Sequence, residues 1–170
     1  MDLLYSIIKI SWIWFWLGIA TLVLVLPVTS FALLGSSGNV SFNLTKIWAR
    51  MMLGVTGCRP HIRGKEKIRK GQSYIIISNH QSHFDALALV TMLGIQSRWV
   101  AKKELLRIPF FAQALYAARN IFVDRSNKQK AIKSIQDGVR RLPPGVSILF
   151  FAEGSRSADG KIQAFKKVDL

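Results

Sequence analysis

In Ser78-Asn79-His80-Gln81-Ser82-His83-Phe84-Asp85, two histidines and an aspartate follow directly on the apolar run Tyr74-Ile75-Ile76-Ile77. Imidazole and carboxylate together are the groups of general acid–base chemistry. A carboxylate on one ring nitrogen fixes the tautomer and stabilises the imidazolium, and the other nitrogen is left to take a proton from a hydroxyl. On a continuous helix, residues five apart lie about 140° apart, so His80 and Asp85 do not face each other there. Across a helix start they do. If His80 ends a strand and Ser82 caps the next helix, Asp85 sits in the first turn and swings back toward the imidazole. A second reading of Asp85 stands beside this one: Ser82-x-x-Asp85 also matches a capping box, in which the carboxylate only closes a helix end.

Other chemistries find less support. Zinc needs three or four ligands, and His80, His83 and Asp85 have no further Cys, His or carboxylate to complete a set, so no metal is expected. Ser82 and Ser155 lie outside any G-x-S-x-G elbow and no triad is visible. Direct attack by a substrate hydroxyl is therefore expected, without an acyl-enzyme. His83 reads as a packing or solvent-facing residue and His61 as a surface strand residue.

The elements that must position these groups alternate. The periodicity predicts a helix carrying Phe42, Ile47, Met51 and Val55 with its stop at Gly57, a short strand over 61–63, and a buried strand over 74–78. An apolar helix over 84–93 ended by Gly94 follows, then a strand over 99–101 and a helix over 104–118 with a kink at Pro109. Next come a strand over 121–123, a helix capped by Ser126 and carrying Ala131, Ile135, Val139 and Leu142, and, after the turn Pro143-Pro144-Gly145, a strand over 146–151. Such alternation predicts an α/β fold: a mostly parallel open sheet flanked by helices, with ligands beyond the carboxyl ends of the strands. Three polar clusters fall at those ends, His80 to Asp85, Asp124-Arg125, and Glu153-Gly154-Ser155-Arg156.

The 170 residues carry 24 Lys+Arg against 9 Asp+Glu, a net charge of +15, and half of them are apolar. That is enough to bury a core and excludes disorder as the default. Within 1–45 only Asp2 and Lys9 are charged, so the whole excess lies after Thr45. The opening segment, with Trp12, Trp14 and Trp16 followed by an apolar run to Leu26, reads as membrane-embedded. Either 3–26 spans once, or the chain breaks at Pro27 and 35–38 and returns as a re-entrant hairpin in one leaflet. A cleaved leader fits less well, lacking a basic start and a small-x-small site. The basic remainder is expected on the cytoplasmic side, and the single Cys58, which has no internal disulfide partner, agrees.

With these residues in view, the chain resembles the 1-acyl-sn-glycerol-3-phosphate acyltransferases among the glycerolipid acyltransferases. "NHQSHFD" is similar to their N-H-x4-D block, "NIFVDR" (120–125) to their second block, and "FAEGSRS" (151–157) to their third, usually F-P-E-G-T-R-S. "AKKELLRIPFF" (101–111) resembles the segment between the first two. The ordered set covers roughly 46–167. The resemblance implies transfer of a fatty acyl group from a thioester co-substrate, acyl-CoA or acyl carrier protein, to the sn-2 hydroxyl of lysophosphatidic acid, giving phosphatidic acid, with no further cofactor. It implies that His80 and Asp85 are the catalytic pair and that Arg125, Glu153, Gly154, Ser155 and Arg156 bind the acceptor. Guanidinium forks at Arg125 and Arg156 suit a phosphate monoester, with Lys102 and Lys103 placed to assist.

The resemblance departs at Ala152 for Pro and Ser155 for Thr, and family members continue beyond Leu170 with further strands and helices. The expected organisation is a membrane-embedded helical segment over 1–40 and an acyltransferase domain over 41–170, C-terminally incomplete relative to the family. Membrane lipids are the expected surroundings, in the inner membrane of a bacterial source. Two other readings stand: an acyltransferase for another lysolipid, and an inactive protein that binds anionic lipid. Nucleic acid is not an expected partner, since no recognition module or stacking motif accompanies the charge.

Overall fold

The computed structural model describes residues 3–33, 38–157 and 159–165. Its first helix, α1 (Leu3–Leu33), carries the apolar N-terminal run. The 29 residues Leu3–Phe31, of mean hydropathy 2.0, are long and apolar enough to cross a membrane by length and composition. Pro27 does not break α1. The hydroxyl of Thr29 donates to the carbonyls of Val25 and Leu26 at 2.8 and 3.0 Å in the turn around the proline. Gly38, at a left-handed φ of 79°, opens α2 (Asn39–Thr56). Ser41 Oγ donates to the Val28 carbonyl and Trp48 Nε1 to Thr21 Oγ1. Contacts that recede along α1 while advancing along α2 make the pair an antiparallel hairpin.

Gly57 ends α2 in the left-handed conformation as expected. The buried face differs from the expected one: it is Ser41, Phe42, Ala49, Met52 and Leu53, whereas Ile47 and Met51 point outward. α2 is held from two sides, by α1 and by the third helix. Small residues such as Ser41 and Ala49 allow that close approach, and hydropathy alone does not select them.

Four strands form one sheet in the order β1-β4-β2-β3, with every neighbouring pair parallel. β1 is Ile75–Ser78, β2 Ser97–Lys102, β3 Ile121–Val123 and β4 Ser147–Phe151. The helices between them are α3 (Phe84–Met92), α4 (Phe111–Ala117) and α5 (Lys128–Arg140). Their apolar faces make two layers. Ile135 with Ala131 and Leu142 packs on Val100, Ile121, Val123, Ile148 and Phe150, while Phe42, Ala49, Val90, Trp48, Leu87 and Trp99 pack together on the other side. The α/β expectation is thus met.

Several local expectations are corrected. Residues 61–63 form no strand; they run as a loop. β1 is an edge strand with Ile75 and Ile77 60% and 61% exposed, where a buried strand was expected. The expected helix over 104–118 is two pieces, a 3-10 turn Lys103–Arg107 and α4, because Pro109 lacks the amide to continue and Phe110 sits at φ 63°. The cap of α5 is Asn127, whose side chain accepts from Lys130 N at 2.9 Å, and Ser126 instead serves Asp124. In α5, Val139 faces outward and Gly138 takes its expected place in the core, against Ile121.

Candidate active site

The loop from β1 to α3 is organised by one oxygen. Asp85 Oδ2 accepts from His80 Nδ1 at 3.0 Å, from the Gln81 backbone N–H at 2.6 Å and from the Ser82 backbone N–H at 2.8 Å. Ser82 Oγ accepts from Phe84 N at 3.2 Å, so Ser82 and Asp85 close the helix start together, while His83 at the N-cap makes no side-chain cap bond of its own. The two readings of Asp85 are therefore one arrangement: the carboxylate that closes the helix start also holds the imidazole. Burial alone would raise the Asp85 pKa. The Ser82 N–H, the His80 ring and the Gln81 N–H outweigh that and hold it below the usual carboxylate value. An ionised carboxylate only accepts, so Nδ1 carries the proton and the His80 Nε2 lone pair is the basic site.

From the other side, β4 supports the same histidine. The parallel register sets Ser78 beside Phe151, and Ala152 N donates to the Ser78 carbonyl at 3.0 Å. Phe151 stacks on the His80 ring, centroids 3.9 Å apart and planes 15° apart. Glu153 is 1% exposed; its Oε1 accepts from His80 N at 2.9 Å and from Gln81 Nε2 at 3.4 Å. Ser157 N donates to the His80 carbonyl at 2.9 Å.

Arg125, beyond β3, reaches across to donate to the Gly154 carbonyl. Gly154 is at φ 74°, a left-handed turn that suits glycine. Asp124 does not pair with Arg125; it accepts from Ser126 N and Oγ and lies 3.7 Å from Lys103 Nζ. Ser155, Arg156 and Lys102 are exposed. Arg156 stands one residue before Ser157, whose N–H donates to the His80 carbonyl, and His83, also exposed, has its pKa lowered by partial burial and then by the charge of Arg156.

The strand ends thus bring together His80, Asp85, Glu153, Gly154 and Arg125, with Arg156 beside them. Lys103 joins through Asp124, the neighbour of Arg125. Lys102 lies at the end of β2, and no contact of its side chain with His80 or Asp85 is seen among the described residues. Sequence reasoning missed Phe151, Gln81 and Ser157 as supports of His80. Only the pairing of β1 with β4 assembles them, and no local pattern announces that pairing.

Fold and rim define a helix-flanked parallel α/β protein with a His–Asp pair beyond the carboxyl end of β1. The chain belongs to the acyltransferase family, whose profile matches residues 59–168. It is 36% identical over 118 residues to a 1-acyl-sn-glycerol-3-phosphate acyltransferase of Limnanthes alba, covering 69% of this chain and 41% of that protein. Over 126 residues it is 32% identical to the human 1-acyl-sn-glycerol-3-phosphate acyltransferase alpha, covering 72% and 44%. The chain therefore spans less than half the length of these two relatives. A 1-acyl-sn-glycerophosphate (LPA) acyltransferase, PlsC, from Thermotoga maritima shares the fold, with a TM-score of 0.67 at 21% identity over 95% of this chain and 67% of that one.

Proposed function

We propose that this chain carries the acyl-transfer centre of a membrane-bound 1-acyl-sn-glycerol-3-phosphate acyltransferase, moving a fatty acyl group from acyl-CoA or acyl carrier protein to the sn-2 hydroxyl of lysophosphatidic acid. The observation that carries the reading is the Asp85 carboxylate on His80 Nδ1 at 3.0 Å, on the rim that holds Arg125 and Arg156. His80 Nε2 takes the proton of the acceptor hydroxyl as its oxygen attacks the thioester carbonyl carbon. The tetrahedral intermediate collapses with cleavage of the carbon–sulfur bond, and the imidazolium returns the proton to the leaving thiolate. Ester and thiol are the products, and the histidine ends neutral, as it began.

Asp85 stabilises the imidazolium between those two transfers. Arg125 and Arg156 provide the cationic edge that a phosphate monoester requires, with Lys103 beside them. The length and apolar character of α1 support an edge held at a lipid surface, where acceptor and product both partition. Its 31 residues are about 46 Å long at 1.5 Å each, against a hydrocarbon core of about 30 Å. The Lys/Arg excess after Thr45 supports a rim on the cytoplasmic face.

The test is thiol release from an acyl-CoA by the purified chain in detergent, with and without lysophosphatidic acid, beside His80→Ala. Release that requires the acceptor and is lost in the variant is expected. Unchanged release in His80→Ala would remove the histidine from the mechanism.

A further inference from the structure

We propose that Glu153 is a positioning residue for His80, acting through the backbone of the 80–82 loop, and that it takes no part in holding the acceptor phosphate; this rests on the acyl-transfer reading of the same site. The register makes the contact. Ser78 lies beside Phe151, and two residues further along each strand His80 meets Glu153. Glu153 is 1% exposed, so its carboxylate lies behind the rim with almost no surface for a ligand.

The contacts divide cleanly. Three consecutive amide N–H groups end on two carboxylates: His80 on Glu153 Oε1, Gln81 and Ser82 on Asp85 Oδ2. The His80 carbonyl is held by Ser157 N, and its ring by Asp85 at the edge and Phe151 beneath. Glu153 thus fixes the one backbone donor of the catalytic histidine that Asp85 does not reach from its own side of the loop. Gln81 Nε2 on the same Oε1 ties the next residue in as well.

Phosphate chemistry argues in the same direction. A carboxylate and a phosphate monoester are both anions and both acceptors, so Glu153 beside the ligand would repel it. Oε1 is already committed, and Oε2 is buried without a hydrogen-bond partner among the described residues. The cationic reading belongs to Arg125 and Arg156, one of which reaches the backbone just after Glu153, at Gly154.

The experiment compares wild type, Glu153→Gln and Glu153→Ala in the full chain in detergent, with kcat and KM for lysophosphatidic acid measured separately. Gln keeps an oxygen for the His80 N–H. Its turnover is expected within about tenfold of wild type, since a neutral acceptor is roughly half as strong as a charged one. Ala removes the acceptor, and the loop shift is expected to lower kcat about 100-fold with KM within about threefold. A raised KM with unchanged kcat, or Gln as damaging as Ala, would overturn the proposal.

A second readout does not need turnover: the downfield His80 Nδ1–H proton resonance, assigned by its loss in His80→Ala. It is expected to persist in Glu153→Gln and to broaden or shift in Glu153→Ala, while the thermal midpoint reports whether the variant is folded. If wild type shows no acyl transfer, the proposed function falls and the resonance still decides the positioning role. An unperturbed resonance in a folded Glu153→Ala would overturn it.

Discussion

Phe151 lies flat under the His80 imidazole, with centroids 3.9 Å apart and planes 15° apart, at the last position of β4. The ring of Phe151 restricts the rotation that the Asp85 contact alone leaves open, because one hydrogen bond at Nδ1 permits swivelling about its axis. A stacked aromatic contact contributes about 0.5–1.5 kcal/mol beyond its buried area, or roughly 2–10-fold in rate if it acts on the reactive geometry. Phe151→Leu is therefore expected to lower kcat by about that factor, and Phe151→Ala by more. Steady-state rates unchanged in both variants would show the stack to be incidental.

Acid sensitivity follows from Asp85. Its folded-state pKa lies below the usual carboxylate value, because the Ser82 N–H, the His80 ring and the Gln81 N–H overcome the opposing effect of burial. A depressed carboxylate contributes stability that is fully present above the unfolded pKa and is lost as pH falls through the folded one. Denaturant unfolding of wild type and Asp85→Asn should give a stability gap that is level above about pH 5 and narrows below the unfolded pKa. A gap independent of pH down to the acid limit would contradict the assignment of the three donors to an ionised carboxylate.

The two arginines should separate kinetically. Arg125 commits one donor to the Gly154 carbonyl and has the rest of its five-donor fork for an anion. Arg125→Ala is expected to raise KM for lysophosphatidic acid about 10–100-fold, the range of a charge-assisted contact worth about 1.5–3 kcal/mol. Arg156 is exposed and acts on His83 through its charge, after the larger effect of burial. In Arg156→Ala the His83 titration should move upward, read from its ring proton shifts. No movement would place Arg156 away from the rim.

How much of this could be read beforehand depended on distance along the chain. The His80–Asp85 contact spans five residues, and helix-start geometry with two titratable side chains sufficed to find it. The three polar clusters at strand ends followed from alternation of elements. The order β1-β4-β2-β3 did not, because which strand lies beside which is decided by packing of whole faces, and Phe151, Glu153 and Ser157 reach His80 only through that order. The break at Pro109 was visible, but its depth was not. Phe110 at φ 63° ends the 3-10 turn outright, where a kinked continuous helix was expected.

Arg98 was not singled out in the sequence, yet it fastens the helical hairpin to the sheet. It is 0% exposed in β2, donating to Asn39 Oδ1 at 2.7 Å, Gln96 Oε1 at 3.2 Å and the Ser97 carbonyl at 3.0 Å, with its guanidinium 5.4 Å from the Phe42 ring centroid. Burial first, and the charge of Arg119 second, pull its pKa down to about 10, so it stays cationic at neutral pH. Arg98→Met fills much of the same volume but leaves the Asn39 and Gln96 oxygens without this donor. A loss of about 1–2 kcal/mol in unfolding free energy is expected from orphaned, partly buried acceptors. A variant as stable as wild type would mean that α2 docks by its apolar face alone.

Two glycines give opposite expectations for the same substitution. A Cβ at Gly138 in α5 would come within 2.6 Å of Ile121 Cγ1, against a buried β-branched side chain on β3 that has little freedom to yield. Helix propensity favours alanine by about 1 kcal/mol, but overpacking typically costs about 1–3 kcal/mol, so Gly138→Ala should be net destabilising. Gly54 in α2 has no atom within 4 Å of its would-be Cβ among the described residues, so Gly54→Ala should stabilise by about 0.5–1 kcal/mol. Ile121→Val in the Gly138→Ala background should recover part of the loss, a coupling that a double-mutant cycle reads directly. The clash also has a functional consequence, since β3 leads straight into Arg125. Displacement of Ile121 carries that guanidinium away from Gly154, and KM for the acceptor should rise in Gly138→Ala and fall back in the double variant. A Gly138→Ala protein with lowered stability but unchanged KM would show that the Arg125 position is set by its Gly154 contact and is independent of the packing beneath β3.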